Sequence, residues 1–163
     1  MTSYRILGLV ALLPLVPACA QLAGGGATGP IGPQPEAAPP PPEEIAEIVA
    51  APPPARTART ADQFDTVTEA QKAAATAAPT GGEERLGEVT ASLGDPTDPG
   101  LWIKTPLVSA QRSGRIEYPG SGRSAVVELR PLEGGGGSQV SLAAMRLIEA
   151  PLTDLPTIVV YGN

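Results

Sequence analysis

A chain with no histidine and a single cysteine has few groups for acid–base, redox or metal chemistry. Cys/His zinc sites, disulfide frameworks and Ser-His-Asp triads are all outside its reach. What remains is carboxylates, cations and one tryptophan. Asp95 and Asp98, set among Pro96, Pro99 and Gly100, offer two carboxylates where calcium takes six or more oxygens, so they read as turn residues. Gly134 to Gly137 ahead of Ser138 has the glycine content of a phosphate-cradling loop but no Lys-Ser/Thr behind it, and reads as a flexible connection. Trp102 with Lys104 offers an aromatic plane beside an ammonium, the kind of surface on which a sugar ring stacks. A core or rim position in an aromatic-poor domain is the other reading. Arg112, Arg115 and Arg123 either line one edge and meet an anionic polymer or stand as scattered surface arginines. The candidate ligand-binding residues are therefore Trp102, Lys104, Arg115 and Arg123. No set of residues points to a catalytic centre, a metal or a cofactor.

Those candidates all lie in the last half of the chain. Of 163 residues, 19 are Gly and 20 are Pro, so much of the sequence cannot be core. From Ala20 to Glu84 nine acidic residues face three basic ones, whereas from Arg85 to Asn163 eight face seven. Nothing supplies the cationic cluster that nucleic-acid binding requires. Ten prolines fall between Pro30 and Pro54, a composition that favours extended polyproline II over a packed core, so residues 19–59 are expected to form a disordered linker. Within it, Glu43 to Ala50 has the makings of one or two helical turns, too short to persist alone. Residues 60–79 read as an Ala-rich helix, with capping boxes at Thr60/Gln63 and Thr66/Glu69 and a stop at Pro79. It is either solvated or docked through Phe64 and Val67.

Residues 85–163 hold nearly all the large apolar side chains outside the N-terminus. β-Branched content and partial alternation predict strands at Leu86 to Leu93, Leu101 to Lys104, Arg115 to Tyr118, Ala125 to Pro131 and Thr157 to Tyr161. Pro119 to Gly122 reads as a hairpin, and Ser141 as the start of a helix carrying Leu142, Met145 and Ile148 to Pro151. The expected fold is mainly β: a small barrel with one short helix, which removes strand edges from water.

The first 18 residues read as an export signal, with Arg5, an apolar stretch from Ile6 to Val16, and small residues to follow. Val16-Pro17-Ala18-Cys19 resembles the lipobox of bacterial lipoproteins. That resemblance implies lipidation of Cys19 and, with Ala20 next in place of an aspartate, anchoring to the periplasmic face of the outer membrane. The other reading takes Ala18-Cys19-Ala20 as an ordinary secretory site that releases a soluble periplasmic protein.

A second resemblance lies in the C-terminal part. Thr105-Pro106-Leu107, the run from Gly122 to Val127, Arg130-Pro131, Ser141 to Ala144 and Ile158 to Val160 resemble the double-psi β-barrel of the rare lipoprotein A family. That family combines a lipid anchor, a linker and a barrel that associates with the cell wall. Its glycan-cleaving members use an acidic residue and a histidine. Here Leu129 precedes Arg130 and no histidine exists, so Glu117 or Glu128 would have to take roles the family pattern does not assign. The layout, with Ala91 to Pro96, Trp102 to Leu107 and Leu152 to Pro156, is also similar to a set of small alphaproteobacterial lipoproteins, some carrying the automatically assigned name D-galactarate dehydratase. Sugar-acid dehydration needs a base and usually a metal, and the chain offers neither a histidine nor a dense carboxylate cluster. The leading expectation is a non-catalytic envelope lipoprotein whose C-terminal domain binds or organises peptidoglycan or an envelope protein. An envelope enzyme, either a degenerate glycan-cleaving barrel or a dehydratase, is the alternative.

Overall fold

The computed structural model describes residues 43–77 and 82–163; the expected export signal, Cys19 and most of the proline-rich stretch lie outside them. Six strands close into a barrel: β1 (Glu84–Leu93), β2 (Trp102–Thr105), β3 (Arg112–Tyr118), β4 (Arg123–Pro131), β5 (Ser138–Val140) and β6 (Thr157–Gly162). Around the barrel the order is β1-β5-β2-β4-β3-β6, with β6 returning to β1. Two pairs, β1/β5 and β2/β4, are parallel and the rest antiparallel. The long strands serve two neighbours at once. β1 pairs β6 along most of its length and β5 at its end, and β4 does the same with β3 and β2. The expectation of a mainly β chain closed into a small barrel holds.

Strand alternation and register fix which side chains fill the barrel. Ile103 is the register partner of both Leu129 and Val140, Val127 lies opposite Gly114, and Ile116 lies opposite Val160. These apolar residues, with Ile158, are completely buried in a single core. The interior also holds a polar pair, Ser138 Oγ and Thr105 Oγ1 at 3.4 Å.

All five expected strands are present. A sixth, β5, was not expected: the glycine run opens into Ser138–Val140, which inserts between β1 and β2. Three residues are too few to show a strand pattern, and both their neighbours are remote in sequence.

The helix after β5, Leu142–Leu147, starts at Ser141 as expected. The Ser141 hydroxyl accepts from Ala144 N at 3.3 Å and from Trp102 N at 3.2 Å, so it caps the helix and ties it to β2. Because Ser141 is buried, Ser141→Ala strands two amide donors, and a loss of about 2 kcal/mol is expected in chemical unfolding.

Three more helices precede the barrel: α1 (Glu43–Val49), α2 (Ala61–Phe64) and α3 (Glu69–Ala75); the helix after β5 is α4. Two expectations are corrected here. Residues 43–59 belong by composition to the linker, yet they are folded onto the rest of the chain. The single helix expected over 60–79 is two short ones, broken at Asp65 to Thr68. The capping box at Thr60/Gln63 forms, while the second uses Thr68 and Gln71 rather than Thr66 and Glu69. Thr66 is diverted: its hydroxyl donates to Pro52 O at 2.6 Å.

Tertiary contacts supply what these short helices lack by themselves. Val49, Val67 and Ala75 are buried in the same core as the barrel residues, and Phe64 is half-buried. Gln71 Nε2 donates to the carbonyls of Glu47 and Ala50, both at 2.6 Å, pinning α1 to α3. Arg146 on α4 reaches Asp62 at 2.7 Å and the buried Asp65 carboxylate at 3.4 Å. Residues 43–77 therefore form an arm packed on the barrel. No helix among the described residues is long and apolar enough to cross a membrane.

Candidate functional site

Alternation along each strand sends every second side chain outward, and register aligns those side chains across the sheet. Ser92 of β1 is the partner of Gln139 of β5, Gln139 of Lys104 of β2, and Lys104 of Arg130 of β4. These four make an unbroken polar row across four neighbouring strands. At a strand spacing of about 4.8 Å the row is roughly 14 Å long. It floors a cleft of about 570 Å³. Gln111, Glu133 and the backbone of Gly135 to Gly137 complete the walls.

The next outward row holds Trp102 and its β4 partner Glu128. Trp102 points away from the barrel interior, yet it is 0% exposed. Lys104 Nζ lies 4.5 Å and Arg130 Cζ 5.2 Å from its ring. Its Nε1 donates to Asp98 O at 3.1 Å. Gly94 closes the far side: a Cβ there would stand 2.4 Å from Trp102 Cη2. The turn 94–101 thus folds over the indole, and Trp102 cannot serve as a stacking platform. It is the core residue of the two readings.

The two cations above Trp102 are fixed by carboxylates. Asp98 accepts from Lys104 Nζ at 3.0 Å and from Arg130 Nη1 at 3.2 Å. Arg130 Nε donates to Glu128 Oε2, and Gln111 Nε2 to Glu128 Oε1. Every oxygen of Asp98 and Glu128 therefore accepts at least one hydrogen bond. Asp95, by contrast, caps its own turn. Bonds from the Thr97 hydroxyl at 2.7 Å and amide at 2.8 Å hold its carboxyl below the usual range. Among the described residues no three Asp, Glu or Cys side chains gather where they could hold a metal ion.

The remaining sequence candidates lie elsewhere. Arg115 sits where β1, β6 and β3 meet. It pairs with Glu83 at 2.7 Å and Glu117 at 3.2 Å, and stacks 4.0 Å from the Tyr161 ring. Burial opposes its charge, but the bonds it donates to Glu83 and Glu117 outweigh that and raise its pKa above the ordinary arginine value. Arg123 is exposed beside the β3–β4 hairpin and pairs with Glu149 at 3.0 Å. Arg112 lies along Gly162 and donates to Asn163 O at 2.7 Å. The three arginines do not share an edge, because Arg112 and Arg115 are three apart on one strand and so face opposite ways.

Glu117 and Glu128 do not form a catalytic pair either. Glu117 is opposite Ser124 and Glu128 opposite Ser113, which puts them roughly 13 Å apart along the sheet, beyond the ~5–9.5 Å that glycoside hydrolysis uses.

Of the four sequence candidates only Lys104 lies in the cleft. The residues missed were Ser92, Asp98, Gln111, Arg130 and Gln139. The spacing shared by Trp102/Lys104 and Glu128/Arg130, one intervening residue each, was the available signal, but it becomes a site only once β2 and β4 are known to pair. No family model, curated protein or solved structure matches the chain, so the resemblances rest on their own residues.

Proposed function

We propose that the chain is a non-catalytic lipoprotein of the bacterial envelope, anchored through Cys19 at the outer membrane, whose barrel holds the cell-wall polymer in the Ser92–Gln139–Lys104–Arg130 cleft. The row itself carries this reading. Its hydroxyl and amide end suits sugar hydroxyls and peptide amides. Its cationic end suits the carboxylates of a wall peptide, since Lys104 uses one of its three N–H donors on Asp98 and Arg130 Nη2 has no partner among the described residues. A length of roughly 14 Å fits a short stretch of polymer laid across the strands. Asp98 and Glu128 are bonded to the cations and Gln111, which leaves Glu133 as the one wall carboxylate without a partner among the described residues. A single carboxylate is short of the pair that glycan cleavage uses, so the cleft is suited to holding its ligand rather than cutting it. Residues 43–77 pack on the barrel, so any spacer between Cys19 and the barrel draws only on residues before Glu43.

Purified protein incubated with sacculi is expected to pellet with them and to release no soluble glycan fragments. Lys104→Ala and Arg130→Ala should each weaken retention about tenfold, the loss of one hydrogen bond to a charged group. Release of fragments that Glu128→Gln abolishes would establish an enzyme instead. Palmitate labelling should vanish in Cys19→Ser; labelling that persists there would remove the anchor from this reading.

A further inference from the structure

The turn over Trp102 has a second attachment. Leu101 N donates to Val49 O of α1 at 2.8 Å, and Leu101 O accepts from Glu128 N at 3.0 Å. Beside it Gly100 has φ +92°, and a Cβ there would stand 2.4 Å from Val49 O. Both the backbone conformation and the approach of α1 require glycine at this position. Two residues earlier in the same turn is Asp98, which grips both cations of the cleft. A hollow of about 250 Å³ lies on the α1 side of Arg130, bounded by Ala46, Val49, Asp98 and Glu128. Arg130 therefore has open space on two sides, and Asp98 and Glu128 set its place.

We infer that the arm is a working part of the binding site: seating of α1 at Val49 and Gly100 fixes Asp98, and Asp98, a positioning residue, fixes Lys104 and Arg130 for the ligand. This rests on the proposed role of the cleft. Arm seating and ligand binding then favour each other, and linkage makes the effect reciprocal. α1 is the first element of the described residues, so load passed to it from the preceding chain reaches the cleft through the same few residues.

Trp102, the sole tryptophan, reports on the cleft without any ligand. Gln71→Ala releases the two bonds on α1, together with the Gln71 half of the α3 capping box, and is not among the residues lining the cleft. In the full chain it should speed tryptic cutting at Arg56 and Arg59, raise acrylamide quenching of Trp102, and weaken retention on purified sacculi by about tenfold, with far-UV circular dichroism unchanged. Gly100→Val should do the same from the barrel side. Asp98→Asn should lose retention that Asp98→Glu partly restores. Saturating sacculi should slow cutting at Arg56 and Arg59 in the wild type and not in Asp98→Asn. An arm that is cut faster while quenching and retention stay at wild-type values would overturn the coupling. Failure of the wild type to bind sacculi would instead refute the proposed role of the cleft, and quenching would still decide whether the arm governs Trp102.

Discussion

Trp102→Ala should lower the unfolding free energy by about 3–5 kcal/mol, the range for removing a fully buried aromatic side chain. Domains of this kind have only about 5–15 kcal/mol in total, so a large part of the cooperative transition would go with the ring. Three losses combine. The indole leaves a cavity beneath the turn 94–101, the bond to Asp98 O disappears, and Lys104 and Arg130 lose the face over which they lie. Gly94→Val attacks the same contact from the other side, driving a Cβ to 2.4 Å from Cη2, and should cost about 1–3 kcal/mol by overpacking. Urea unfolding followed by circular dichroism measures both. If Trp102→Ala kept wild-type stability and lost only affinity for sacculi, the indole would be a ligand platform and the closed turn described above would be wrong.

The contrast between Trp102 as a sequence residue and as a packed one shows where sequence reasoning stops. β4 was readable because nine residues carry both an apolar and a polar alternation, and the β3–β4 hairpin because its turn residues are local. Ser141 and its helix were readable for the same reason. The cleft was not, since its floor joins Ser92, Gln139, Lys104 and Arg130 from four strands whose order around the barrel is not the order of the chain. Local signals say that Lys104 and Arg130 point the same way as Trp102 and Glu128 only after the parallel β2/β4 pairing is given. The arm was hidden differently. Val49 has only Ile45 and Ile48 beside it on a seven-residue helix, and Val67 stands in a threonine- and alanine-rich stretch; their burial comes from a complementary surface built by residues far along the chain. Composition measures what a segment can bury alone, and α1 buries little alone.

Arg115→Ala should cost about 2–3 kcal/mol, somewhat less than the 3–5 kcal/mol of breaking a fully buried ion pair, because the Arg115 and Glu83 side chains retain 13% and 10% exposure. The expected loss comes mostly from what is left behind. Glu83 would keep a largely desolvated carboxylate without its cation, and Glu117 would keep only the Tyr161 hydroxyl at 3.2 Å. Removing charge on both sides tests that account: Arg115→Met combined with Glu83→Gln should recover much of the stability lost by Arg115→Ala. Arg115→Lys should recover little, since an ammonium lacks the planar fork that meets both Glu83 oxygens and the flat face that lies 4.0 Å from Tyr161. The cluster draws Glu83 from just before β1, Arg115 and Glu117 from β3, and Tyr161 from β6, the three strands that close the barrel. Hydrogen exchange should accordingly rise first along the β6 pairings with β1 and β3 in Arg115→Ala, while the β2/β4 pairing beneath the cleft stays protected. Retention on sacculi at native temperature should not change in this variant, and a loss there would show that Arg115 serves the ligand as well as the seam.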